Sequence, residues 1–358
     1  MLRIAHTADV HLGRAFSYLG ESAGAHQERL MRAFRRVLRE AQTRECHAVL
    51  IAGDLFDSPR VAQRWVEFAL SVIADSRLPV IVIVGNHDPA ERHPFQTARL
   101  PSNLHFLPAT DRLRLDALEL EVVACPAGDE PRWAAALRRD PHGAPHQIAL
   151  MHGSMPTAGN SGAIEPAWIA QSGLDYVALG DWHSPQDWSR GGTACWYSGA
   201  PEMIMPRQQL PAVMLVVEVA QGQPAQVQSV AIGEARPPHN APDGILHWDV
   251  SAYKDTASLL EALRAWLTPE TVARIRLTGR WQGDAPLNLE SMAEMLQPYC
   301  LWLDLEGAFQ SERLQPHTPF ETFLLERAQA HAQQTPNQAD LYYEAAQTAL
   351  YLLRGGRL

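Results

Sequence analysis

Lysine is almost missing from this 358-residue chain: of its 30 basic residues, only Lys254 is a lysine. Arginine suits bidentate phosphate contacts, but a GC-rich genome produces the same bias, so the imbalance assigns no function. Cysteine is scarce as well. Cys46, Cys125, Cys195 and Cys300 are widely scattered, without the paired spacing of a zinc site or a redox motif. No apolar run approaches the length of a membrane span. The opening Met1-Leu2-Arg3-Ile4-Ala5-His6-Thr7-Ala8-Asp9 lacks the apolar stretch and cleavage site of a signal peptide. The expected home is a reducing cytoplasm, with no membrane partner. An excess of positive charge is also missing, since the formal net charge is −10. A protein that coats nucleic acid is normally basic, so any such contact must be local or shared with a partner. Aspartates gathered for divalent cations would give the same acidic balance.

The length and the 46% hydrophobic content suit two domains, the larger with a full-sized core. Five short apolar runs read as strands buried on both faces: Arg3 to Ala8, Ala48 to Ala52, Val80 to Val84, Ile148 to Met151 and Tyr176 to Leu179. Leu30, Phe34, Val37, Leu38 and Ala41 recur at helical spacing, as do Trp65, Phe68, Ala69 and Val72. This alternation argues for an α/β layer structure. Leu113 to Val122 suggests paired strands around Asp116-Ala117 and Val213 to Val219 a further strand, so the second half is expected to be more antiparallel. Gly233 to Gly244 is a linker by composition. Beyond it, strands at Ile245 to Val250, Ala273 to Gly279 and Leu301 to Leu305 alternate with helices at Leu259 to Leu267 and Leu289 to Leu296, a small α/β domain. Helices at Phe320 to Ala332 and Gln338 to Leu353 follow, the last stopped by Gly355-Gly356. The boundaries are 1–235, 243–310 and 316–358.

The residues just past the five strands carry the chemistry. The first strand leads into Asp9-Val10-His11, the second into Gly53-Asp54-Leu55-Phe56-Asp57 and the third into Gly85-Asn86-His87-Asp88. The fourth ends in His152-Gly153 and the fifth in Gly180-Asp181-Trp182-His183. Ligand sites of α/β sheets lie outside the carboxyl ends of strands. Carboxylates, imidazoles and an amide oxygen are what two divalent metals require. Such a pair, about 3.5–4 Å apart, clamps the attacking and leaving oxygens of a phosphate displacement. Each motif alone reads as readily as a loop, a cap or a structural histidine; five in order at successive strand ends do not.

This ordered set resembles the calcineurin-like metallophosphoesterases. The context Thr7-Ala8-Asp9-Val10-His11-Leu12-Gly13 and Tyr197-Ser198-Gly199-Ala200-Pro201 is similar to SbcD-type DNA-repair nucleases and YhaO-like exonucleases. The resemblance implies a four-layer α/β/β/α sandwich with a small α/β cap domain and C-terminal helices. It implies two divalent metal ions, manganese first with magnesium or iron as alternatives, and hydrolysis of DNA phosphodiesters. Position by position, Asp9, His11 and His183 would hold one metal, Asp54 would bridge, and Asn86, His152 and Asp181 would hold the other. His87 would meet the phosphate, and Asp57 falls where relatives keep an acid that orients this histidine and keeps it protonated. Asp57 equally suits a helix cap ahead of Pro59, in which case Asp88 takes the orienting role. Position 181 departs from the family pattern, which has histidine there; the alternative is that Asp181 does not ligate and the second metal is weak or absent.

The implied partners are DNA and an SbcC-like coiled-coil ATPase gripped by the C-terminal helices, with packing of those helices on the cap as the alternative and a homodimer left open. Two other functions stay open: a general phosphodiesterase acting on small nucleotides, and a partner-binding subunit whose catalysis has faded. Arg29, Arg32, Arg35, Arg36 and Arg39 share a helix with an apolar face and read as a solvated surface. Gly153 to Glu165 reads as a loop that borders the substrate or merely connects.

Overall fold

The computed structural model describes residues 1–157, 161–237, 244–283, 286–311 and 316–354. The Gly355-Gly356 stop, the boundary at 243, part of the 233–244 linker and residues 158–160 of the Gly153–Glu165 loop lie outside them. The chain divides into two compact units, Met1–Ala235 and Arg236–Leu358.

The first unit runs β1 (Leu2–Thr7), α1 (Ala23–Thr43), β2 (Ala48–Ala52), α2 (Gln63–Ser76), β3 (Val80–Ile83), β4 (Leu104–Leu107), β5 (Asp111–Leu115), β6 (Leu120–Cys125), α3 (Glu130–Ala136), β7 (His146–His152), α4 (Pro166–Ser172), β8 (Tyr176–Gly180), β9 (Gln186–Asp187), β10 (Ala194–Tyr197), β11 (Val213–Val219) and β12 (Gln226–Ala231). Two six-stranded sheets form, in the orders β12-β11-β1-β2-β3-β4 and β5-β6-β7-β8-β10-β9. Alternation along each strand builds the layers. On β7, Ile148 and Leu150 join Ile4, Leu50, Ile81 and Leu215 in the core between the sheets. Their neighbours Ala149 and Met151 face outward onto Trp133 of α3 and Ile169 of α4. On the first sheet, α1 packs over β1 and β2. The unit is thus a four-layer α/β/β/α sandwich, and strands covered on both faces read as unbroken apolar runs.

The expectation of a more antiparallel second half holds in part: β5–β6, β9–β10, β1–β11 and β11–β12 are antiparallel, whereas β1–β2, β2–β3 and β3–β4 are all parallel. The second sheet is nevertheless mostly parallel. β6, β7, β8 and β10 pair in parallel, and within this sheet antiparallel pairing is confined to the edge strands β5 and β9. Parallel neighbours need crossovers, and α3 and α4 provide two of them. Each has only seven residues, too few to print a helical period in the sequence. Arg32, Arg36 and Arg39 of α1 are exposed, as expected of a solvated face, while several arginines of the helix also make contacts within the chain. Arg32 donates to both carboxylate oxygens of Glu234 at 2.7 Å, Arg36 donates to the Ile232 carbonyl at 2.9 Å, and Arg35 lies over Phe68.

The second unit comprises β13 (Ile245–Asp249), α5 (Thr256–Trp266), β14 (Val272–Thr278), β15 (Arg280–Trp281), α6 (Leu289–Leu296), β16 (Trp302–Gly307), β17 (Gln310–Ser311), α7 (Pro319–Gln334) and α8 (Ala339–Leu353). A parallel sheet β13-β14-β16 packs with α5 and α6 around Leu259, Leu263, Ile275, Leu277, Met292 and Leu296. α7 opens with a capping box between Thr318 and Glu321 and with Pro319 in its first turn. Arg354, just past the end of α8, donates to Glu321 near the start of α7 at 3.1 Å, so the two helices are antiparallel. Ala328, Ala332, Ala346 and Leu350 are their buried apolar residues among those described; Phe320, Phe323, Leu341, Leu352 and Leu353 are exposed.

Candidate metal centre

Parallel pairing brings the carboxyl ends of β1, β2 and β3 to one edge of the first sheet, and those of β7 and β8 to one edge of the second. Hydrogen bonds stitch the two edges together. His152 Nδ1, at the end of β7, donates to the Ala52 carbonyl of β2 at 2.8 Å. The Asp181 amide, after β8, donates to both carboxylate oxygens of Asp9, at 3.0 and 3.3 Å. Two glycines permit this approach. A Cβ on Gly85 would stand 2.0 Å from Asp54 Oδ1, and one on Gly180 would stand 1.9 Å from the Ala52 carbonyl oxygen. The turns are strained. Of eight non-glycine residues with positive φ among those described, four lie here: Asp9 (53°), His11 (51°), Asp54 (51°) and Asp181 (104°). Strain of this kind concentrates at functional sites.

Three close groups of side chains result, each with one ligand atom per residue and all such atoms within 4.8 Å of one another: Asp9, His11 and His183; Asp9, Asp54 and His152; and His11, Asp57 and His87. Asp54 Oδ2 lies 3.7 Å from His11 Nε2 and 3.7 Å from His152 Nε2. Asp9 belongs to both of the first two groups. Asn86 Oδ1 lies 3.0 Å from His152 Nε2. Asp181 is in none of the three groups, but its carboxylate is near enough to Asp54, His152 and His87 to interact with each.

Oxygen acceptors set the tautomers, since carbonyl and carboxylate oxygens only accept. Asp57 Oδ1 takes the Nδ1 proton of His11 at 3.1 Å, and the Ala52 carbonyl takes that of His152. Both Nε2 atoms are therefore aimed at Asp54, and His11 Nε2 is buried without a hydrogen-bond partner. Burial pushes the Asp9 carboxyl well above the ordinary carboxylate range, with Asp54 and Asp181 adding to the rise. Burial also raises Asp181. His183 is pushed down to about 3 by burial and by the positive charges of neighbouring groups. For His152, burial works to lower the pKa, but Asp54 and Asp9 outweigh it and raise it. The carboxylates around His152 therefore favour positive charge at its ring, from a proton or a metal cation. An orphaned imidazole nitrogen, buried carboxylates and an amide oxygen fit divalent metals.

Three sequence expectations are corrected. The Asp57 carboxylate does not bond to His87: it binds His11 and, at 2.9 Å, Arg14. What holds His87 Nδ1, at 3.2 Å, is the Asp57 backbone carbonyl. Nor does Asp57 cap a helix, because the N-cap of α2 is Ala62. His11 and Arg14 hold Asp57 below its usual range against the opposing effect of burial. Asp88 does not orient His87 either. It is fully buried and accepts from the amides of Phe56 at 3.1 Å and Gly85 at 2.8 Å, with His93 Nε2 at 3.3 Å. It is a strut between the second and third motif loops. Tyr197 is a second strut that sequence reasoning missed. Its hydroxyl accepts from the Met155 amide at 2.8 Å and donates to the Gly153 carbonyl at 2.7 Å, pinning the loop after His152.

A four-layer sandwich with Asp, His and Asn converging from five strand ends defines a metal-dependent phosphoesterase. The chain belongs to the calcineurin-like phosphoesterase family, whose sequence pattern matches residues 2–185; the family works with two divalent metals. It is 27% identical over 228 residues to the DNA double-strand break repair protein Mre11 of Methanopyrus kandleri, covering 57% of this chain and 49% of that one. It is 24% identical over 282 residues to the D component of the nuclease SbcCD of Bacillus subtilis, covering 66% and 71%. It is 27% identical over 220 residues to the metallophosphoesterase YhaO of Bacillus subtilis, covering 55% and 52%. The chain spans about half the length of the Methanopyrus relative. No helix among the described residues is long and apolar enough to cross a membrane.

Proposed function

We propose that this chain is a metal-dependent DNA nuclease, an exonuclease or single-strand endonuclease, with manganese as its working metal. One observation carries the reading: Asp54 Oδ2 is equidistant, at 3.7 Å, from imidazole nitrogens that belong to two different ligand groups. That is the position of a bridging carboxylate. In this assignment Asp9, His11 and His183 hold one ion, and Asn86, His152 and Asp181 the other. Aspartate at 181 makes the second site harder, which favours manganese or magnesium over zinc. When bound, the ions supply Lewis acidity toward the phosphodiester.

The chain's own groups do the rest. His87 is exposed beside the ligand Asn86. With Nδ1–H fixed on the Asp57 carbonyl, its imidazolium form keeps Nε2–H for the leaving oxygen. The relatives named for DNA repair and for nuclease activity support DNA as the substrate. The segment 243–310, read as a cap domain, would suit a macromolecular substrate better than a small one. The helical segment 316–358 is read as the dock for an SbcC-like coiled-coil ATPase. Exposed Phe320, Phe323, Leu341, Leu352 and Leu353 on α7 and α8 support that partner.

Digestion of labelled single- and double-stranded DNA by the manganese-loaded chain, beside a small phosphodiester, tests the reading. DNA cleavage that chelator abolishes is expected. His87→Ala should stop cleavage and keep the metal content. Hydrolysis of the small diester alone would favour the general phosphodiesterase instead.

A further inference from the structure

The chain has ten tryptophans, all among the described residues, and Trp182 is the only exposed one, at 51%. It stands between Asp181 and His183, each one residue, about 3.8 Å of Cα spacing, away. A singly exposed apolar side chain is ordinary, whereas several of them gathered beside a site mark a binding surface. Trp182 is not isolated. Apart from Met1, the exposed large apolar side chains of the first unit among its described residues are Tyr18, Trp182 and Met205.

Hydrogen bonds tie the three segments together at the His183 side of the centre. The Ala200 amide donates to the His183 carbonyl at 3.1 Å, and the Gln209 amide to Ser184 Oγ at 2.8 Å. Tyr18 Oη donates to the Ile204 carbonyl at 3.1 Å, one residue from Met205. Arg14, which holds Asp57, is close enough to Tyr18 and His183 to act on both electrostatically. Arg207, two residues from Met205, is exposed. Exposed aromatics and arginines carried on linked segments beside a phosphate-handling centre suit a nucleic-acid strand, with stacking for bases and guanidinium for phosphates.

We propose that Trp182 is a stacking platform for an unpaired nucleobase next to the scissile phosphate, so that the substrate is a single strand or a frayed end. A base inside a duplex has both faces occupied by its neighbours and offers none to an indole. Stacking tolerates any base, because every base has a π-face, so the platform confers strand preference without sequence preference. The inference rests on the nuclease reading above and names the substrate class of that same centre.

The test uses the full manganese-loaded chain and two labelled oligomers of equal length, oligothymidylate and one in which abasic residues replace alternate nucleotides. Wild type, Trp182→Ala and Trp182→Phe are compared by the ratio of kcat/KM on the two, with metal content measured for each. The wild type should prefer the base-bearing oligomer by on the order of ten-fold or more, the scale of one base–aromatic stack. Trp182→Ala should bring that ratio close to unity with both metals in place, and Trp182→Phe should keep most of it. An unchanged ratio in Trp182→Ala, or a wild type without preference, overturns the platform while the nuclease reading stands. Failure of the metal-loaded wild type to cleave either oligomer refutes the nuclease reading and takes the platform with it.

Discussion

The Asp57 carboxylate accepts the Nδ1 proton of His11 at 3.1 Å, and the opposite nitrogen of the same ring faces Asp54. A carboxylate behind a ligating imidazole fixes the ring's tautomer and orientation and strengthens the nitrogen that binds the ion. Asp57→Ala should therefore weaken manganese binding about 10- to 100-fold. Asp57→Asn should weaken it less, because its amide oxygen can still accept the proton. Calorimetric titration of the chelator-stripped chain measures this, and wild-type affinity in Asp57→Ala would remove Asp57 from the support of the centre.

Asp88 should prove to be a residue of the fold. Asp88→Ala leaves the buried amides of Phe56 and Gly85 without an acceptor and His93 without its carboxylate. The expected loss is about 2–4 kcal/mol of unfolding free energy, the scale for stranding buried groups of this kind. Urea denaturation reads it directly. A midpoint equal to the wild type would show that the two loops hold together without this strut.

Asp181 is the test of the second ion. Asp181→Ala should bind one metal where the wild type binds two, and Asp181→His should restore two with altered metal preference. Metal analysis that finds two ions in Asp181→Ala would take Asp181 out of the coordination shell.

The strand ends are legible in the sequence because strands covered on both faces print unbroken apolar runs, and each motif sits where such a run stops. Ala48–Ala52 and Val213–Val219 are readable to the residue for that reason. β12 is not, because it is an edge strand whose Gln226, Gln228 and Ser229 are exposed and leave no apolar alternation to read. The direction of the second sheet is hidden by the brevity of α3 and α4. The partner of Asp57 is hidden for a different reason. It depends on the left-handed turns at His11 and Asp54, which bring the first two motif loops into register, with the His11 amide on the Asp54 carbonyl at 3.0 Å. Spacing along the chain carries the identity of a site's residues, but not which of them touch.

The α7–α8 pair should loosen in acid. Arg354 first, with the amides of His317 and Thr318, pulls the Glu321 carboxyl down to about 2. The folded-state pKa is depressed, so the contribution is complete above the ordinary glutamate range, near about 4.3. It is lost as pH falls from there toward about 2. Hydrogen exchange of α7 and α8 amides across that interval should show protection falling in the wild type. Glu321→Gln should already have the lower protection at neutral pH. Equal protection in the two proteins at neutral pH would mean that the ion pair does not hold the helices.

In the proposed function, one centre bridged by Asp54 holds two ions and cleaves DNA. Manganese titrated into the stripped full chain, with cleavage of labelled single-stranded DNA followed at each addition, tests it most directly. Two equivalents should bind, and cleavage should appear as the second site fills. Two bound equivalents without cleavage, or cleavage that survives excess chelator, would contradict it.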